Sequence, residues 1–506
     1  MISEDSMRWL KDKTFYLIVL LLLILIIALR TPLDSDMWWH LRAGEETWRS
    51  GNVYKVDSLS YTREGEAWIN HSWLAQVVMI GLYWFGSFKA LSLWVGLSAV
   101  ISMFFVYLQT IGKPIFRMGL ILLTSFVCSV VWSPRPQILS LLFFGLVGLI
   151  LFRYKWLGKE QLYWLLPIFI VWSNMHGGYI LGIILIGTFI VGELINQVLG
   201  IQSETTLSVK QIRKLLMICV ASFGVAAINP NGIEMWKIPF QTVGVESLQN
   251  LIQEWASPDF HQPIQQLMLI LLFGTFATVG LSKKTLDGVD LVGFSIFGIL
   301  ALTARRNFGP FAMVAAPIIS RHMVDVAESW KLFAQKKWNL FQKLNDYQKV
   351  SEEKINKSLQ LIVNLTVILA MVFIAGYKFI SVNDKEFIDT VEEQTYPVGA
   401  VEWLREELPE GRLFSTYNWG GYLTWTLREY QVFVDGRTDL FGDEIISEWD
   451  KVMSANNGWQ EILENRKIST ILIDQDLSLV SDLRAAQWIE VYRDDTSVIF
   501  VKSNNP

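Results

Sequence analysis

Asp34-Ser35-Asp36-Met37-Trp38-Trp39-His40-Leu41-Arg42 follows directly on the apolar run Phe15–Leu29. A run of that length reads as a membrane span. No small-residue cleavage site follows it, so it reads as a retained anchor rather than a removed signal. Two carboxylates, a histidine and an arginine within nine residues of a membrane exit are costly to keep beside hydrocarbon. The cluster therefore points to a site with partners nearby. Its plainer reading is a capped helix whose Trp38 and Trp39 belong to an aromatic belt.

The rest of the chain keeps the same membrane character. Of 506 residues, 52% are hydrophobic and 18% charged, with 22 Trp and a mean hydropathy of +0.34. That composition excludes an ordinary soluble enzyme, and a net charge of −5 argues against a nucleic-acid partner. Cys128 and Cys219 lie inside apolar runs, so no disulfide framework is expected. Hydropathy predicts about eleven spans, near 15–30, 88–110, 115–133, 137–153, 160–173, 178–199, 213–229, 264–281, 289–304, 308–321 and 358–381. Residues 73–86 read as a helix lying in the interface.

Charge sets the orientation. Arg8, Lys11 and Lys13 place the N-terminus in the cytoplasm, and the alternate loops then carry Lys113 and Arg117, Arg153, Lys155 and Lys159, Lys210, Arg213 and Lys214, and Lys283 and Lys284. The basic stretch 321–357 falls inside as well. The predicted layout is a transmembrane domain over 1–381, with a large first external loop at 31–87 and another at 229–263. An extracytoplasmic α/β domain follows at 382–506. In the tail, Val398–Leu408, Asp443–Ser454, Trp459–Asn465 and Leu479–Gln487 read as helices. Arg412–Thr416, Gln431–Val434, Ser469–Ile473 and the hairpin Trp488–Tyr492 with Ser497–Val501 read as strands. Ser381–Gln394 reads as the hinge.

The residues that carry chemistry fall on the outer face. Asp36 or Asp34 could serve as a general base or help hold a divalent cation, with His40, His71, His176 and Glu254 as candidate ligands. Pro134-Arg135-Pro136 sets a rigid arginine in a tight turn, suited to a phosphate or, more plainly, to snorkelling. Arg305-Arg306-Asn307 breaks the positive-inside trend, for which an anionic headgroup is the natural reason. In the tail, Tyr417-Asn418-Trp419-Gly420-Gly421-Tyr422 and Val434-Asp435-Gly436-Arg437-Thr438-Asp439 suit binding of a sugar or peptide. Alternatively, their glycines only permit tight turns.

The layout resembles the GT-C superfamily, the multi-pass glycosyltransferases that take sugar from a polyprenyl-phosphate carrier. Two stretches are similar to the catalytic subunit of oligosaccharyltransferase. Asp36-Met37-Trp38-Trp39-His40-Leu41-Arg42 matches its acidic-aromatic-Arg motif after the first span. Tyr417-Asn418-Trp419-Gly420-Gly421-Tyr422 with Val434-Asp435-Gly436-Arg437-Thr438 matches its Trp-Trp-Asp-Tyr-Gly turn and the strand end after it. In this chain a glycine replaces the tail acid, and Pro-Arg-Pro stands in the second external loop in place of an acidic metal-binding pair.

The resemblance implies an inverting glycosyltransferase of a prokaryotic cytoplasmic membrane, acting at the extracytoplasmic face on a polyprenyl-phosphate-linked sugar donor and a protein, lipid or polysaccharide acceptor. It implies Asp36 or Asp34 as base, and Arg135, Arg305, Arg306 and Arg42 at the donor phosphate. A divalent Mg or Mn is expected, with Trp419, Tyr422, Asp435 and Arg437 at the acceptor. The alternative is a non-enzymatic polytopic protein, either a lipid-linked-saccharide transporter or a polysaccharide-assembly scaffold. The scarcity of acids inside the spans and the absence of duplicated halves speak against transport.

Overall fold

The computed structural model describes residues 12–201, 205–243, 254–337 and 357–502. Helices, most of them apolar, follow one another through the first three quarters of the chain: α1 Asp12–Ala28, α2 Ser35–Ser50, α3 Trp73–Tyr107, α4 Pro114–Cys128, α5 Gln137–Leu157, α6 Leu165–Met175, α7 Tyr179–Val198, α8 Val209–Val225, α9 Pro263–Leu281, α10 Gly288–Thr303, α11 Phe308–Lys337 and α12 Lys357–Val382. This is a membrane protein. Among the described residues, six helices are long and apolar enough to cross a bilayer, and three more are apolar but shorter. Helix length alone therefore does not yield the expected eleven spans. Of the basic stretch 321–357, expected as a loop, residues 321–337 continue helix α11, and 338–356 lie outside the described residues.

The segment expected as an interfacial helix and the expected second span are one element interrupted by a break. Helix α3 loses helical geometry at Gly86 and Ser87, the latter at φ 50° and ψ −143°. Lys155, expected as a cytoplasmic anchor, is buried with Glu193 as its ion partner and Asp287 2.9 Å from its ammonium. A buried lysine is tolerable only with such pairing.

The tail is a small α/β layer. Helices α13 Lys385–Thr395 and α14 Val398–Glu407 lead into β1 Arg412–Ser415. After it come α15 Tyr417–Thr426, α16 Thr438–Met453, α17 Trp459–Asn465, β2 Ile468–Asp474, α18 Leu479–Ala485, β3 Ile489–Arg493 and β4 Ser497–Val501. The sheet order is β1-β2-β4-β3, parallel between β1 and β2 and antiparallel elsewhere. Gln431–Val434, expected as a strand, does not join this sheet. Val432 pairs instead with the first loop, its carbonyl accepting from Tyr61 N at 3.1 Å and its N–H donating to Leu59 O at 3.0 Å. Ser381–Gln394, expected as a hinge, is mostly helix, with Asp384 capping α13.

Loop and tail share a core. Trp38 is 2% exposed and meets Phe88, Tyr396 and Tyr422 edge-on at centroid distances of 5.9, 5.8 and 5.3 Å. It is thus a packing residue rather than part of a belt. The tail is fastened onto the segment that leaves the first apolar helix, and that contact builds the site.

Candidate functional site

Asp34 and Asp36 owe their positions to the start of α2. Asp34 is its N-cap, in extended backbone, and its Oδ1 accepts from Asp36 N at 2.9 Å. Its Oδ2 lies 3.4 Å from Nε of Arg135. Asp36 sits in the first helical turn, where Trp39 Nε1 donates to Oδ1 at 3.2 Å and Arg135 Nη1 to Oδ2 at 2.7 Å. From a third part of the chain, Glu254 takes Nη2 of Arg135 on Oε2 at 2.9 Å. Arg135 is held rigid between two prolines, its Nε donating to Ser133 Oγ at 3.0 Å.

Electrostatics follow from this packing. Burial pushes the Asp36 carboxyl up to about 6, Arg135 opposes the shift, and Asp34 and Glu254 reinforce it. Burial works against the Arg135 cation, but Asp34, Glu254 and Asp36 together hold it well above the ordinary arginine value. Glu254 is likewise burdened by burial, yet Arg135 and Arg306 bring it below the usual carboxylate range. Arg306 makes no ion pair among the described residues. Its guanidinium lies over the Trp255 ring at 4.0 Å, and burial lowers its pKa, with Glu254 opposing.

The histidines do not form a metal set. His40 Nδ1 is engaged by Gln76 Nε2 at 3.2 Å, and His176 Nδ1 by Ser140 Oγ at 2.8 Å and Gly178 N at 3.0 Å. His71 packs edge-on to His176 with centroids 5.8 Å apart, and its Nδ1 is 3.7 Å from Asp439 Oδ2. All three are held below the usual histidine range, by burial first. For His40 and His176 nearby cations and neighbouring histidines add to the shift, whereas at His71 Asp439 opposes it. Among the described residues, no three His, Cys, Asp or Glu groups are spaced to hold a metal ion.

No family model and no curated protein matches the sequence. Solved structures do match. An oligosaccharyltransferase from Archaeoglobus fulgidus, tethered with an acceptor peptide containing the NVT sequon, aligns at TM-score 0.51 and 13% identity over 98% of this chain and 75% of its own. The apo form of that protein aligns at 0.50 and 12%, over 92% and 70%. ArnT from Cupriavidus metallidurans in the apo state aligns at 0.50 and 11%, over 95% and 96%. The chain has the GT-C fold. At these identities the likeness is one of architecture.

Within the GT-C fold, the expected residues divide sharply. Asp34, Asp36, Arg135 and Glu254 meet, with Arg306 beside them. Arg42 faces away, paired with Glu45 at 3.1 Å and Glu46 at 2.8 Å. Trp419, Tyr422, Asp435 and Arg437 are interior, at 4%, 3%, 0% and 0% exposure. Arg437 bonds Asp435 through Nη2 at 2.7 Å and Asp57 through Nη1 at 2.5 Å, so the tail's Asp-Gly-Arg is a buried bolt into the first loop. Their side chains offer no surface to an acceptor.

Three residues near Asp36 and Arg135 were not among the expected site residues, although Tyr417 and Gly436 lie within the tail motifs. Gly436 lies on the Asp36 carboxylate, where a Cβ would overlap Oδ1. Tyr417 is a half-buried phenol whose pKa is driven well above the ordinary value, by desolvation first and then by Asp36. Arg30 lines a cavity of about 210 Å³ together with Asp34, Ser133 and Arg135. Arg30 had a legible signal: like Arg305 and Arg306, it is an arginine on the predicted outer side.

Proposed function

We propose that this chain transfers a sugar from a polyprenyl-phosphate-linked donor to an acceptor at the extracytoplasmic face of the membrane, with inversion. The domains are proposed as 1–381 in the membrane and 382–506 outside it. The single observation that carries the reading is Asp36: a carboxylate raised to about 6, fixed on both oxygens by Trp39 and Arg135, at the exit of the first apolar helix. A base of that strength is still ionised at neutral pH and accepts a proton far better than an ordinary aspartate. The solved relatives of this fold include an oligosaccharyltransferase with a tethered acceptor peptide, which supports group transfer as the class of reaction.

In the proposed step the acceptor nucleophile attacks the anomeric carbon and gives its proton to Asp36. The carbon–oxygen bond to the donor phosphate breaks, and the phosphate leaves with the electron pair. Arg135 is already shared among three carboxylates, so the leaving phosphate falls to Arg306, and to Arg30 on the cavity wall. Arg306, half-buried and without an ion pair among the described residues, gains most from an arriving anion, and the exposed Arg30 adds a second positive charge at the cavity. Orienting rather than anchoring is left to Arg135.

The test is binding of a polyprenyl phosphate to the purified full-length protein in detergent, followed by transfer from polyprenyl-phosphate sugars. Arg306→Ala should raise the lipid Kd at least tenfold while Arg42→Ala leaves it unchanged. Absence of binding in folded wild-type protein would overturn the reading and leave a non-enzymatic scaffold in its place.

A further inference from the structure

Three carboxylates from two separate parts of the chain reach one point, and a guanidinium occupies that point. Asp34 and Asp36 come from the start of α2, Glu254 from the segment ahead of α9, and Arg135 from the Ser133–Pro136 turn. Carboxylates crowded this closely repel one another and need positive charge at their centre. Proteins supply it either with a hard divalent cation ringed by oxygens or with a fixed cationic side chain.

The geometry here is that of the second solution. The three acids spread around the edge of a planar fork, at 3.4 Å from Nε, 2.7 Å from Nη1 and 2.9 Å from Nη2. A Mg ion needs oxygens at about 2.1 Å around a single centre, a far tighter cage than one wrapped on a guanidinium. The prolines on either side of Arg135 restrict its backbone, and Ser133 Oγ holds its Nε at 3.0 Å. The expected Mg or Mn therefore does not fit the residues while Arg135 is in place.

We infer that Arg135 is the resident cation of this centre, standing where a divalent ion would otherwise sit, so that the site binds neither Mg nor Mn. The inference rests on the proposed function in one respect only: sugar transfer should then proceed in the presence of a chelator. Arginine cannot lose its charge at any working pH, so the acids stay organised without a metal supply. It brings one positive charge rather than two, which leaves the departing phosphate dependent on Arg306 and Arg30.

Mn binding to the purified full-length protein, followed by electron paramagnetic resonance, tests this without reference to activity. Wild type should show no Mn site that disappears in Glu254→Gln. Arg135→Ala should gain one Mn site, at least tenfold tighter than any in wild type, and should gain thermal stability from Mn. Arg135→Ala/Glu254→Gln should lose both. A wild-type Mn site removed by Glu254→Gln would overturn the inference, as would a folded Arg135→Ala that gains none. Should Arg135→Ala not fold, the comparison of wild type with Glu254→Gln decides alone. If transfer is never observed but Arg135→Ala acquires the Mn site, the proposed function fails and the resident cation stands.

Discussion

Gly436 of the tail lies directly on the carboxylate of Asp36: a Cβ there would overlap Oδ1 and come within 2.6 Å of Trp39 Nε1. The contact joins the Asp36 carboxylate of the first loop to the tail. Any side chain at 436 must push Asp36 away from Arg135 or lift the tail. Gly436→Ala should therefore cut kcat by about tenfold to a hundredfold, the penalty of a displacement near 1 Å, with little change in donor Kd. Unchanged kcat in a folded variant would show that Asp36 does not need this position.

Asp36→Asn keeps the size of the side chain and removes its basicity. Transfer should fall by about a hundredfold to ten-thousandfold, the usual contribution of a positioned base. Lipid-phosphate binding should stay within a few-fold of wild type, because the proposed phosphate ligands are Arg306 and Arg30. Single-turnover transfer alongside a binding titration separates the two effects.

The raised Asp36 pKa fixes the pH dependence. A base near 6 is protonated and idle below that value, so kcat/KM should fall about tenfold per pH unit below it and level off above pH 7. Arg135 holds this pKa down, so Arg135→Ala should move the midpoint upward. A profile flat from pH 5 to 8 would remove Asp36 from the role of base.

Asp57, Asp435 and Arg437 form a fully buried ion cluster between first loop and tail. Removing one partner strands the others without water. Arg437→Ala should therefore cost about 3–5 kcal/mol, by the measured behaviour of broken buried pairs. The readouts are a lower melting temperature in detergent and faster proteolysis of the tail. Undiminished stability would mean that the cluster does not hold the tail in place.

Much of the site was legible because its residues are expensive where they stand. Asp34 and Asp36 beside hydrocarbon, Arg135 between prolines and Arg306 on the predicted outer side each break a local rule. Their roles were less legible. Arg135 read as a phosphate ligand because an isolated arginine at a membrane surface suits one, and its three carboxylate partners come from distant segments. Arg437 and Asp435 read as acceptor ligands because a strand end rich in charge looks like a binding loop, and only Asp57 explains their burial. Gln431–Val434 had the composition of a strand but found its partner at Leu59–Tyr61, outside the tail altogether.

By itself the sequence determined the membrane character, most of the apolar helical segments, the α/β character of the tail and the acidic cluster after the first apolar run. Each depends on hydropathy, charge or periodicity within a few residues, which local physics suffices to rank. The tertiary structure alone decided that Asp34, Asp36 and Glu254 share one guanidinium, that Trp38 is core, and that Gly436 covers Asp36. Those outcomes depend on which distant segments exclude water together, and the energy of a buried charge is set by partners that proximity along the chain does not reveal.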